Sequence, residues 1–185
     1  MATGHEEASP RSEHTSAIED IPLITRREIE ARAIAPIYDA LVAELGQDCA
    51  DSVVRSAVAR AGYEAGRALA AERPAEISPL AFYRDEIMPR FSAGGAMAWD
   101  NVELDEDAGT LAMDATRCDF AAMYRRLGLE HLGQLLSCER DPHMFHGYND
   151  HLEFTRTQTL MEGCQRCDFR LRMRESESTH PANNR

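Results

Sequence analysis

From His151 to Arg174 the chain alternates apolar and polar residues with a period of two, and it does so twice. Leu152, Phe154, Arg156, Gln158 and Leu160 stand against Glu153, Thr155, Thr157 and Thr159. Cys167, Phe169, Leu171 and Met173 then stand against Asp168, Arg170, Arg172 and Arg174. Successive side chains of a strand point to opposite faces, so each segment predicts a strand with one buried and one solvated face. Strands of that kind belong to an antiparallel sheet covered on one side only. Joined by MEGCQR, the two predict a hairpin.

A second hairpin is expected upstream, where AMAWDNVEL and TLAMDATRC flank the turn-forming DEDAG. The cover must then come from the rest of the chain, which is helical in pattern. From Thr25 to Leu45 the residues Ile29, Ala33, Ile37, Leu41 and Leu45 recur every fourth position, with Ile34 and Tyr38 beside them, and predict one buried helix face. Pro36 should kink that helix or mark a boundary, and Gly46 should end it. A second helix over about Asp48 to Glu72 carries a stripe of small residues: Cys49, Val53, Ala57, Ala61, Ala65 and Leu69. Gly62 and Gly66 leave room for a close neighbour, within the chain or across a homo-oligomer. Ser78-Pro79 opens a short helix to Met88 that Pro89 ends. Asp119 to Ser137 reads as two short helices broken near Gly128, and DPHMFHGYND as a loop punctuated by Pro142 and Gly147. The fold class is therefore α+β: N-terminal helices packed on a four-stranded antiparallel sheet.

Residues 1–20 and 176–185 have too few large apolar groups to offset the entropy of ordering and read as disordered tails around one domain over 21–175. A net charge of −12 repels phosphate backbones and anionic lipid, which excludes nucleic acid and membrane surfaces as expected partners. No stretch approaches the roughly 20 apolar residues of a membrane span, and no leader pattern opens the chain, so a cytoplasmic location is expected. Five cysteines in a reducing interior are thiols.

Those thiols are the chemically notable residues. Cys118 ends a strand and Cys138 a helix, both able to face a cleft, which makes them the candidate nucleophiles; Arg117, Arg140, His143 and His146 are the local bases or cations. Cys167 falls on the apolar face of the last strand, and Cys49 on the buried stripe of its helix. Cys164-x-x-Cys167 has the spacing of half a zinc knuckle without its other half, and His143-x-x-His146 lacks the four-residue spacing of a helical metal pair, so no metal or cofactor is expected. Asp141, three residues after Cys138, and Glu162, at the mouth of the last hairpin, are the candidate acids.

The strings ATRCDFAAMYRRLGLEHLGQLLSCERD, GYND and LEFTRTQTLMEGCQRCDFR, with REIEAR…IAPIYDAL upstream, resemble the L-2-amino-thiazoline-4-carboxylic acid hydrolase family. Glu139 stands where that family usually has Asn, and Asp150 where it has Pro. The resemblance implies a hydrolase that acts on a carbon-nitrogen bond in a small cyclic amidine or amide; the namesake reaction opens 2-aminothiazoline-4-carboxylate to N-carbamoyl-cysteine. Carried onto this chain, it points to Cys118, Cys138, Asp141 and Glu162 as catalytic, and to Asn149, Thr157 and Cys167 as substrate-binding; His146, particular to this chain, is added to the substrate-binding candidates from its place in the nearby loop. Either thiol would add to the ring carbon, or an acid would activate water. A helical layer on such a sheet is also similar to small ligand-binding domains, of the vinyl-reductase-like group, whose cleft only holds an effector. A sensor of that kind is the competing expectation.

Overall fold

The computed structural model describes residues 21–174; both tails read from the sequence lie outside them. Two long antiparallel helices come first, α1 (Leu23–Leu45) and α2 (Gln47–Ala71), joined by Gly46 at φ +83°. A short helical run follows: α3 (Pro79–Phe82), a π turn (Tyr83–Ile87) and α4 (Met88–Ser92). The strands β1 (Met97–Asp105) and β2 (Thr110–Cys118) form the expected hairpin. Then come α5 (Asp119–Leu127), α6 (Glu130–Gly133), a second π turn (Gln134–Cys138), α7 (Arg140–Tyr148), β3 (Leu152–Thr155) and β4 (Cys167–Met173). The sheet is antiparallel throughout, in the order β1-β2-β4-β3, and helices cover one face, as its alternation requires.

The inner sheet face carries Leu111, Met113, Ala115, Cys167, Phe169 and Leu171, all buried against Tyr83, Ile87, Phe145 and Tyr148. The outer face is polar, yet Asp114 at its centre is only 3% exposed. A bulge in β1 places Asn101 at φ +51°, a conformation Asn tolerates better than most residues, and turns its amide onto the Asp114 carboxylate at 3.0 Å. Arg170 donates to the other oxygen at 2.9 Å.

Several local expectations are corrected. In α1 the buried residues are Ala31, Ala35 and Tyr38, while Ile29, Ile37 and Leu45 are 57%, 59% and 54% exposed. Residues four apart advance by more than one turn, so a row at that spacing winds off any single face. Pro36 neither ends nor interrupts the helix, because it lies on the solvent side, where the carbonyl it leaves unbonded meets water. The buried row of α2 is offset by one from the predicted stripe: Ala50, Val54, Val58, Gly62 and Gly66 pack inward, and Cys49 is exposed.

The run after Asp141 is helix rather than loop. Pro142 sits in the first turn of α7, where its missing N–H has no helical partner to lose. Gly147 faces the backbone of Tyr63, and Gly62 and Gly66 face the carbonyls of Arg140 and Met144. The small-residue row of α2 therefore packs within the chain, backbone against backbone with α7. Pro89 does not end its helix either, since the π turn before it leads into α4. Finally, β3 stops at Thr155; the chain from Arg156 to Arg166 leaves the sheet and returns as β4.

Candidate functional site

Three ends of secondary structure meet where the helical layer lies over the sheet. Cys118 closes β2, Cys138 closes the second π turn with Asp141 in the first turn of α7, and Cys167 opens β4. The residue that ties them together is Arg156. It stands on the apolar side of the alternation, in line with Leu152 and Phe154, and a guanidinium cannot stay in that row unpaired. There the strand stops. Arg156 lies over the Phe154 and Phe169 rings, 5.6 and 5.3 Å from their centroids. One Nη donates to Asp141 Oδ2 at 2.5 Å and the other to the Cys138 carbonyl at 3.1 Å. Sequence reasoning passed over Arg156, although a charge in the apolar register of a strand was the signal to see.

Arg156 keeps 9% of its side chain exposed and Asp141 28%, so the pair sits at the margin of the core. Burial pushes the Asp141 carboxyl above its ordinary value, and the guanidinium of Arg156 opposes that push without cancelling it. For Arg156 the balance runs the other way: burial disfavours its charge, but Asp141 outweighs it and holds the guanidinium above its usual value. All three thiols are raised, each chiefly by burial: Cys118 upward, Cys167 to about 11, and Cys138 highest, with the Asp141 charge adding to the effect. At neutral pH they are thiols rather than thiolates. Cys167 Sγ accepts from the Leu160 amide at 3.2 Å, so it is already engaged.

The other candidates stand apart from this cluster. Thr157 and Glu162 belong to the Arg156–Arg166 loop, which is bonded largely to itself. Asp168 accepts from the Thr157 and Gln158 amides, each at 2.9 Å, and from Thr157 Oγ1 at 2.6 Å. Buried Thr159 donates to Glu162 Oε2 at 2.8 Å and accepts from the Glu162 amide at 3.1 Å. Asn149 is at the far end of α7 and accepts from the His151 amide at 2.9 Å. His146 is exposed on α7, its ring 5.6 Å from that of Tyr63. Cys164 is exposed whereas Cys167 faces the core, so the CxxC pair does not converge. Among the described residues, no group of three or more His, Cys, Asp and Glu side chains is placed to hold a metal ion.

Two surface clefts lie elsewhere. One is beside the β1–β2 turn, lined by Arg84, Glu103, Asp105 and Thr110; the other lies between α1, α2 and the second π turn, lined by Tyr38, Asp51, Arg55, His131 and Gln134. Among the described residues no helix is long and apolar enough to cross a membrane.

Comparison with known proteins bears on what the cluster does. The model of a family described as L-2-amino-thiazoline-4-carboxylic acid hydrolase matches residues 26–171. No curated protein matches the chain. Among solved structures it is similar to the phenol-responsive sensory domain of the transcription activator PoxR with phenol, at 12% identity and a TM-score of 0.49, over 77% of this chain and 74% of that one. It is also similar to a trafficking protein particle complex subunit 3 from Naegleria fowleri covalently bound to palmitic acid. There the identity is 11% and the TM-score 0.49, over 82% of this chain and 96% of that one. Likeness at that level says nothing about ligand or activity.

Proposed function

This chain belongs to the L-2-amino-thiazoline-4-carboxylic acid hydrolase family, and we propose that it is itself a hydrolase that opens a small cyclic amidine or amide at the lip between sheet and helices. The observation that supports this is the meeting of Cys138, Asp141 and Arg156, with the neutral thiols of Cys118 and Cys167 nearby.

In this reading the Cys138 thiol, neutral at rest, gives its proton to the Asp141 carboxylate as its sulfur adds to the amidine carbon. Arg156 holds that carboxylate in place and works against the burial that raises it. The adduct collapses by expelling a ring atom, which takes the proton back from Asp141. In an aminothiazoline the leaving atom is the ring sulfur, so the bond that breaks is carbon-sulfur; in a cyclic amide it is the ring nitrogen. Water then adds to the same carbon and releases Cys138 as a thiol, so the net change is the addition of one water. Burial holds every thiol of the cluster neutral, which also favours a second reading, a domain that binds such a ring without opening it.

Incubation with 2-aminothiazoline-4-carboxylate, cyclic amidines, hydantoins and lactams, followed by mass spectrometry, separates the two. A gain of one water that is lost in Asp141→Asn and in Cys138→Ala supports the thiol route; loss in Asp141→Asn alone supports direct attack by water. Stoichiometric binding with no gain across the panel overturns the hydrolase.

A further inference from the structure

Helix α1 is apolar on two opposite sides, and the fold uses one of them. Its inner side, with Ile24, Ala31, Ala35, Tyr38 and Val42, packs into the core made with α2, α5 and α6. On the outer side Ile29, Ala33, Pro36, Ala40 and Ala43 follow one another at steps of four, three, four and three residues, and every one of them is exposed. Ile37, beside the row, is 59% exposed. Steps that average three and a half residues make the seam of a helix pair. Among the described residues nothing covers this outer seam of α1, which leaves an apolar row facing solvent.

Charge identifies the cover and its direction. Arg26 and Arg32 flank the first half of the seam, and Asp39 and Glu44 flank the second. Neither Asp39 nor Glu44 has an ion-pair partner among the described residues. Arg32 is held by Glu28 at 2.8 Å but has guanidinium donors to spare. A second α1 laid antiparallel, about a two-fold axis near residues 35 and 36, sets Arg26 opposite Glu44 and Arg32 opposite Asp39, and the reverse on the other side. A parallel helix would set like charges against each other. The alanines let the axes approach closely, and Pro36, which interrupts nothing inside the chain, falls at the axis. A patch that complements itself closes at two copies.

We propose that the chain forms a symmetric dimer through the outer seam of α1. The proposal is independent of the hydrolase reading, because no residue of the Cys138, Asp141 and Arg156 cluster touches the seam.

Light scattering of the purified full chain at about 100 µM, a concentration at which even a modest specific interface is occupied, is expected to give twice the 20.7 kDa chain mass. Ala40→Glu, at a position exposed in the single chain, is expected to weaken the dimer by about 100-fold by burying a carboxylate in the seam. In a Cys49→Ala, Cys164→Ala background, which removes both exposed thiols, Pro36→Cys is expected to cross-link the dimer under mild oxidation, whereas Asp107→Cys at the β1–β2 turn is not. A monomer at that concentration overturns the proposal. So does a dimer that Ala40→Glu leaves intact, or one that Pro36→Cys fails to link.

Discussion

Gly66 lies against the backbone of Met144 so closely that a Cβ there would stand 2.0 Å from the Met144 carbonyl oxygen. That contact sets how near α2 comes to α7, and through α7 it places Asp141 over the sheet. Backbone cannot step aside as a flexible side chain can. Gly66→Ala is therefore expected to cost about 3 kcal/mol or more, and Gly62→Ala, whose Cβ would be 2.8 Å from the Arg140 carbonyl, somewhat less. Urea unfolding of the three proteins checks the order, and equal stability of Gly66→Ala and the parent chain would refute the close packing.

The Arg156–Asp141 pair should be costly to break from one side only. Arg156→Met leaves a carboxylate crowded by apolar atoms, and the loss is expected at roughly 2–4 kcal/mol, at or below the range for fully buried pairs because Asp141 keeps a solvent edge. Asp141→Asn combined with Arg156→Met should cost less than the sum of the single changes. Additive losses in a double-mutant cycle would show that the two side chains do not depend on each other.

Acid should weaken the outer face of the sheet through Asp114. The hydrogen bond from Asn101 holds the Asp114 carboxyl below its ordinary 3.8, with Arg170 acting in the same direction against burial. A depressed carboxyl contributes stability that is full above its unfolded value and is lost as pH falls through the lower folded value. The acid limb of a stability curve below about pH 4 is thus expected to flatten in Asp114→Asn. Asp141 has the opposite sign: its raised value favours the neutral form, a contribution present below the unfolded value and lost as pH rises through the folded one. Unfolding midpoints measured across the acid range in both variants test the two directions, and an unchanged limb in Asp114→Asn would remove the first.

The five thiols should separate by access. Cys49 and Cys164 are exposed, Cys118 is half-buried, and Cys138 and Cys167 are buried with their thiols pushed upward. Iodoacetamide at neutral pH is expected to label the first two quickly, Cys118 more slowly, and the last two slowest of all, because the thiolate is the reactive form. Peptide mapping over time reads the order. Fast labelling of Cys138 in the folded chain would mean an activated nucleophile at rest, and the proton transfer to Asp141 would have to precede substrate.

The strands show how far pattern alone reaches. Alternation found β4 in its correct register because Cys167, Phe169 and Leu171 have one covered face to meet, and it found β1 and β2 with their turn. The same alternation ran too far in β3. From Thr157 onward the polar side chains bond to Asp168 and Glu162 instead of facing solvent from a strand, and a period of two does not distinguish those uses. In α1 and α2 both faces are rich in alanine, valine and isoleucine, so periodicity fixed the helices and not the side that packs. Cys118, Cys138, Asp141 and Cys167 were legible as candidates. Their meeting was not, since it depends on Arg156 leaving the sheet at Thr155.

By itself, then, the sequence determined the class of fold, the order of its strands and long N-terminal helices, the family and most of the residues near the cluster, because local patterning and motif are properties of neighbours along the chain. The tertiary structure alone decided which face of each N-terminal helix is buried, that α7 is a helix lying on the glycines of α2, and that a guanidinium binds Asp141 beneath three neutral thiols. Those outcomes depend on close contact and on the desolvation of charge between residues far apart in the chain, and neither is written in any one segment.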